Sequence, residues 1–199
     1  MSVDQYQKEV GMMNLEQLIE TREGKPDVSF PIAEKELLTR FEQLYTGAVN
    51  DVLREFCLLN QALPHHIIPL REYHTVAGFA FTVKSSPNAM IKGEMEFRVR
   101  MLDEIQEDTF IVWDTSRDEK ATLWGGVMTA TAKGKKVKAA CIDGGIRDTH
   151  QIIAEEFPVF YKYRISNGSL GRCLITHYQV TLQIGDVTIK PGDVVLGDI

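Results

Sequence analysis

Between residues 109 and 161 the chain alternates strand, helix, strand, helix, strand. Residues 109–113 (TFIVW) are a short apolar run ending in Asp114. Residues 119–132 carry Leu123, Val127 and Ala130 at helical spacing. Residues 137–142 are a second buried strand, 148–155 a short helix and 158–160 a third strand. Strand runs without polar alternation are buried on both faces, as in parallel sheets. Two consecutive βαβ units therefore predict an α/β fold with a parallel core and right-handed crossovers.

The flanks extend this pattern. Leu37, Leu38, Phe41 and Leu44 mark one helix. Thr46 is placed to cap a second, striped by Val49, Val52, Leu53 and Phe56. Pro64 and Pro69 bracket a loop, residues 75–83 (TVAGFAFTV) read as a strand, and 93–105 as a helix. Residues 1–32 read as a helix-prone lead-in with a turn at Gly24, Lys25, Pro26 and Asp27, which leaves 33–199 as one α/β domain. Downstream, 178–184 alternates, Gly185-Asp186 is a hairpin turn into 187–189, and Pro191-Gly192 turns into 193–196. That predicts an antiparallel C-terminal section. The sequence stops directly after this strand, which gives the expectation of a domain truncated at Ile199.

Composition narrows the function. The chain of 199 residues has the size of one domain, and 44% hydrophobic content argues against disorder. Acids outnumber bases 28 to 22, so direct nucleic-acid binding is not expected. No apolar run approaches the length of about 18 residues that spans a membrane. The acidic N-terminus has no apolar signal segment, so a cytoplasmic protein is expected. Cys57, Cys141 and Cys173 are odd in number and widely spaced, as buried thiols in a reducing compartment are. His65, His66, His74, His150 and His177 form no HxH or HxxxH, which argues against a zinc site.

Two segments carry chemistry. In the first, Cys141-Ile142-Asp143-Gly144-Gly145-Ile146-Arg147-Asp148-Thr149, a buried strand is expected to end and a helix to begin. Ligands of parallel sheets bind at such carboxyl ends. Gly144 and Gly145 would permit a tight turn. Arg147 offers a fork for a carboxylate, and Asp148 a hard oxygen for Mg²⁺. In the second, Leu123-Trp124-Gly125-Gly126-Val127-Met128, Gly125 and Gly126 would leave N–H groups aimed at an anion near a helix start. Both would open onto one sheet edge, a set that suits a small 2-oxo acid. A surface Arg–Asp pair and an ordinary Gly-Gly turn remain the plain alternatives. Asp114-Thr115-Ser116-Arg117-Asp118 either lines this site or is a solvated loop, and Lys133-Gly134-Lys135-Lys136-Val137-Lys138 reads as a solvated loop.

Gly126, twenty residues, then Arg147-Asp148 resembles the G-x20-R-D signature of the RraA-like family. That family includes regulators of ribonuclease activity, class II 4-hydroxy-4-methyl-2-oxoglutarate aldolases, and proteins once labelled demethylmenaquinone methyltransferases. Residues 44–53 (LYTGAVNDVL), 76–83 (VAGFAFTV), 143–148 (DGGIRD) and 157–160 (FPVF) are similar to it as well. The resemblance runs from about residue 37 to the end. It implies a swivelling β/β/α domain that forms homotrimers or hexamers with sites between subunits. It also implies Asp148 as ligand of Mg²⁺ or Mn²⁺ and Arg147 as the group facing developing negative charge. Gly125, Gly126, Val127, Met128 and Arg147 are implied to bind substrate.

The implied activity is that of a divalent-metal-dependent lyase on short 2-oxo acids. It would catalyse retro-aldol cleavage or oxaloacetate decarboxylation through a pyruvate enolate. The alternative is a non-catalytic regulator that binds a ribonuclease or another protein. Two positions depart from the pattern: Gln151 stands where relatives with Gly at the first position carry an acid, and Gly126 stands where many aldolases carry Asp. No GxGxxG follows a strand, so the methyltransferase label finds no support.

Overall fold

Strand β2 (Val76–Pro87) and strand β5 (Ala139–Ile146) are longer than their neighbours, and this organises the sheet. The computed structural model describes residues 14–24, 29–72 and 75–198. Part of the expected lead-in and its turn, His74 and Ile199 lie outside them. Before β2 come α1 (Leu15–Glu23), α2 (Glu34–Phe41), α3 (Thr46–Glu55) and the two-residue β1 (Ile68–Pro69). After it follow α4 (Glu94–Glu104), β3 (Thr109–Asp114), β4 (Thr122–Trp124), α5 (Gly126–Gly134), β5, α6 (Thr149–Ala154) and β6 (Val159–Arg164). The chain then runs through β7 (Cys173–Tyr178), β8 (Leu182–Ile184), β9 (Val187–Ile189) and β10 (Val194–Gly197).

The sheet has the order β1-β6-β5-β3-β2-β10, with β2, β3, β5 and β6 mutually parallel. The expected α/β fold with a parallel core and an antiparallel C-terminal section is what forms. Each long strand uses two partners in succession on one side. β10 lies antiparallel to residues 76–79 of β2, and β7 takes over at 83–87. Likewise β3 accompanies β5 as far as Asp114 opposite Asp143, and β4 then pairs with Gly145 and Ile146.

The parallel strands follow one another in sequence order, so right-handed crossovers put α4, α5 and α6 on one face. Phe81, Val83, Ile111, Trp113, Ile142 and Val159 point into the core under those helices. Their alternate neighbours Ala80, Phe110, Val112, Cys141 and Phe160 meet Leu182, Ile184, Val187 and Ile189 of the β8–β9 hairpin on the other face. Period-2 alternation thus divides each strand between two cores. Among the described residues, no helix is long and apolar enough to cross a membrane.

Five local expectations are corrected. Residues 119–132 are not one helix: Thr122, Leu123 and Trp124 are a buried strand, and the helix starts at Gly126. Pairing with β5 overrides the local helical spacing, and Val127 and Ala130 are exposed while Met128, Thr129 and Ala132 are buried. The strand at 137–142 does not end before Gly144 but runs to Ile146, so Gly144 and Gly145 are not a turn. A Cβ on Gly144 would lie 2.5 Å from Thr115 Cγ2, and one on Gly145 2.6 Å from Tyr163 Cε2. These glycines allow close packing of neighbouring chains.

The expected strand 178–184 breaks after Tyr178, because Gln179 takes a left-handed backbone with φ of 54°. Thr46 is not the cap of α3 by its own side chain. Its N–H and hydroxyl both donate to the Asp198 carboxylate, at 2.8 and 2.9 Å. An acid 152 residues away therefore satisfies an open N–H of the helix start and complements its dipole. Residues 114–118 do not line the cavity beside Arg147 and Asp148, and of them only Arg117 is exposed. Asp114 is buried against Lys84 and accepts from the Ser116 N–H, and Asp118 is buried and accepts from the N–H of Lys120 and Ala121.

Candidate active site

β4 brings the two chemical segments together. At its end, the Trp124 carbonyl accepts the Arg147 N–H at 3.0 Å, so the start of α5 lies beside the turn that follows β5. The Gly126 N–H then donates to Asp148 Oδ2 at 3.2 Å. Gly125 is extended, with φ of −164°, and a Cβ there would stand 2.7 Å from Asp148 Oδ2 and 3.2 Å from Arg147 Cγ. The absence of a side chain at 125 is what leaves room for the carboxylate. Asp148 itself occupies the left-handed region, with φ 53° and ψ 35°, which aspartate tolerates better than most residues.

Arg147 and Asp148 share an ion pair, Nε to Oδ2 at 3.5 Å, with side chains 47% and 37% exposed. Both face a cavity of about 290 Å³ lined also by Ile146, Thr149, Arg164, Ile165 and Ser166. The 165–168 loop beside it is held by Thr122, whose N–H donates to the Asn167 carbonyl at 2.8 Å and whose hydroxyl donates to the Ile165 carbonyl. Gly168 lies over Arg147: a Cβ there would be 3.2 Å from Nη1. A larger cavity of about 430 Å³ near the start of β3 is lined by Asp103 and Glu104 and contains none of the sequence candidates.

The glycine cradle differs from expectation in one respect: the Gly126 N–H is taken by Asp148. The remaining first-turn N–H groups of α5, at Val127 and Met128, have no intrahelical acceptor, as at any helix start. Val127 is exposed and the Met128 side chain is buried in the core. Gln151, at the position where relatives carry an acid, turns its amide toward α5. A Cβ on Gly126 would fall 1.7 Å from its Oε1. His150 is exposed. Sequence reasoning missed Arg164, Ser166 and Gly168, because their approach depends on the register that sets Arg164 opposite Ile146.

Among the described residues, no group of three or more His, Cys, Asp or Glu side chains is placed to hold a metal ion. That is unlike a calcium cage or a structural zinc site. Mg²⁺ binds proteins through one or two carboxylates with several waters retained. Asp148 supplies such a carboxylate, with Oδ2 turned to Gly126 and no described protein donor on Oδ1.

Residues 46–199 match the RraA-like family model, described as Aldolase/RraA. A protein of Methanocaldococcus jannaschii, MJ0644, is 30% identical over 165 residues, 78% of this chain and 76% of that protein. A Halalkalibacterium halodurans protein named as a 4-hydroxy-4-methyl-2-oxoglutarate aldolase is 27% identical over 83% of this chain and 74% of its own length. DlpA of Legionella pneumophila is 26% identical over 132 residues, and the matched stretch spans only 22% of its length. A crystal structure described as one of novel cellulases from gut-associated microbes is 78% identical. It has a TM-score of 0.92 and covers 98% of this chain and 87% of the other. RraAS2 of Streptomyces coelicolor, at 20% identity, shares the fold with a TM-score of 0.74 over 85% of this chain and 84% of its own. With Gly126 bonded to Asp148 beside Arg147, and the family model matched over most of the chain, this chain belongs to the RraA-like family.

Proposed function

We propose that this protein is a divalent-metal-dependent lyase for short 2-oxo acids, cleaving 4-hydroxy-2-oxo acids or decarboxylating oxaloacetate. The observation that carries the reading is the Gly126 N–H bonded to Asp148 Oδ2, a carboxylate that lines one cavity together with Arg147. The aldolase name of the Halalkalibacterium halodurans relative supports it.

In this reading Asp148 would hold Mg²⁺ or Mn²⁺. When bound, the cation acts as a Lewis acid on a keto oxygen. Arg147 sets a fixed positive charge beside the substrate oxygen that becomes negative as the carbon–carbon bond breaks. The N–H groups of Val127 and Met128, at the positive end of α5, bind the substrate carboxylate. Gly125 and Gly126 keep the carboxylate of Asp148 and the helix start in contact. The cavity lies at the small end of the ~300–1,000 Å³ range of ligand pockets, which suits a small acid.

Glycoside hydrolysis is a poorer fit. It usually needs two carboxyl groups flanking the scissile bond. Asp148 is the one carboxylate among the described residues lining this cavity. A second reading, a regulator that binds a protein partner, draws on Gln151, whose amide stands where an acid would assist proton transfer. We also propose a homotrimer or hexamer. Tyr45, Val52, Phe56, Leu58 and Leu59 expose an apolar surface on and around α3, of the kind that association covers.

The test is pyruvate release from oxaloacetate with and without Mg²⁺, for the wild type and Asp148→Ala, after subtracting spontaneous metal-catalysed decarboxylation. Turnover that needs both Mg²⁺ and Asp148 supports the lyase. A wild type that never exceeds background with oxaloacetate, nor releases pyruvate from 4-hydroxy-4-methyl-2-oxoglutarate, refutes it and leaves the regulator, which co-purification with an endoribonuclease would then examine.

A further inference from the structure

Thr122 opens β4 and stands between two walls of the candidate site. On one side β4 runs parallel to the end of β5, where Thr122 lies opposite Gly145, two residues before Arg147. On the other side Thr122 forms a single parallel bridge to Gly168. Thr122 ties the 165–168 loop twice. Its N–H donates to the Asn167 carbonyl at 2.8 Å, and its hydroxyl donates to the Ile165 carbonyl. The residue is buried, at 5% exposure, so the hydroxyl has a fixed direction.

The loop that Thr122 holds reaches Arg147. Ile165 and Ser166 line the cavity together with Arg147 and Asp148. A Cβ on Gly168 would lie 3.2 Å from Arg147 Nη1, so the guanidinium rests close to the loop backbone. On its other side Arg147 meets Asp148 Oδ2 through Nε at 3.5 Å, and its side chain is 47% exposed. A long, solvated ion pair fixes a flexible side chain poorly. The loop backbone against Nη1 is a second boundary. Arg172 also donates to the Gly168 carbonyl, at 3.2 Å, but from an exposed position where water competes.

We propose that Thr122 is a positioning residue: through the 165–168 loop, its hydroxyl fixes the Arg147 guanidinium beside the substrate oxygen that becomes negative. This rests on the lyase reading of the same cavity. A fixed charge stabilises a transition state only while its geometry is held. Thr122 touches no substrate and acts only through the loop.

Thr122→Val keeps the shape and the N–H but removes the hydroxyl, and Thr122→Ser keeps the hydroxyl. Two quantities are measured. One is hydrogen exchange at the amides of residues 122 and 165, which donate to the Asn167 and Ile146 carbonyls. The other is kcat and KM for Mg²⁺-dependent pyruvate release from oxaloacetate. Thr122→Val is expected to exchange faster at both amides and to lose kcat about tenfold or more, with KM little changed. Thr122→Ser restores both. In an Arg147→Lys background, which lacks the planar fork beside the loop, Thr122→Val costs almost nothing further. Gly168→Ala presses on the same guanidinium without touching Thr122, and should lower kcat at an unchanged melting temperature. A Thr122→Val enzyme with faster exchange but wild-type kcat overturns the proposal and leaves the lyase reading intact. So does the same fold-loss in both backgrounds, which marks support of the fold alone, and so does unchanged exchange. A wild type with no Mg²⁺-dependent release overturns the lyase reading and the positioning role with it.

Discussion

Replacing Gly125 by alanine puts a methyl group where the Asp148 carboxylate now lies. The new Cβ falls 2.7 Å from Oδ2, where ordinary contact begins at 3.4 Å, so the carboxylate must retreat by about 0.7 Å. Gly125 is extended, so alanine adds no backbone strain, and the effect falls mainly on Asp148 and by a few tenths of an ångström on Arg147, whose Cγ lies 3.2 Å from the new Cβ. The retreat breaks the 3.2 Å bond from the Gly126 N–H. Because Asp148 is 37% exposed, water replaces that bond, and the stability loss stays below about 1 kcal/mol. For a chain of this length that lowers the melting temperature by at most ~2–4 °C. Activity is far more sensitive: a misplacement near 1 Å costs roughly 10²-fold, equivalent to about 2.7 kcal/mol. Gly134, at the other end of α5, has nothing within 4 Å of a built Cβ, so Gly134→Ala is the control with unchanged rate. The assay is the initial rate of Mg²⁺-dependent pyruvate release together with calorimetric melting. A Gly125→Ala enzyme at wild-type rate would refute the reasoning. A melting temperature lowered by ~10 °C would show instead that the glycine serves the fold.

Asp148→Asn should melt within a few degrees of the wild type, since asparagine also tolerates the left-handed backbone, yet lose the Mg²⁺-dependent rate; Asp148→Ala should lose the rate and about 1 kcal/mol of stability. Retained activity in the asparagine variant would remove Asp148 from the site. Asp198→Ala takes away the acceptor at the start of α3 and should cost about 1 kcal/mol, read as a fall of ~2–4 °C in melting temperature with catalysis unaffected. Burial, reinforced by the Asp143 charge, pushes the Cys141 thiol from 9.0 up to about 12. The unfolded chain therefore releases this proton first. Stability is flat in this group below about pH 9 and falls by up to ~1.4 kcal/mol per unit between there and pH 12. Urea midpoints should be less alkaline-sensitive in Cys141→Ala than in the wild type, and equal slopes would sink the idea. In native protein a thiol reagent should modify exposed Cys57 quickly and buried Cys141 and Cys173 only on unfolding.

The helices Glu34–Phe41 and Thr46–Glu55 and the hairpin at Gly185-Asp186 were legible because period and turn chemistry act over a few residues, although the first helix stops at Phe41, short of the expected Leu44. So was the pairing of Arg147-Asp148 with Gly125-Gly126, since consecutive βαβ units bring their loops to one edge. Thr122–Trp124 was not: three residues cannot declare a strand, and their pairing with Gly145 and Ile146 exists only because β3 has already ended. Gly144-Gly145 read as a turn because glycine permits either a turn or a close approach. Only Thr115 and Tyr163 in place decide between them.

The sequence by itself determined the layering of this protein, because periodicity sets which side of each element is apolar, and it determined the identity of the Arg147-Asp148 pair. The tertiary structure alone decided which N–H faces Asp148, that Asp198 caps α3 from the far end of the chain, and that Arg164 shares the cavity. Each of those contacts joins groups far apart in sequence, where strand register sets the distance and no local pattern records it.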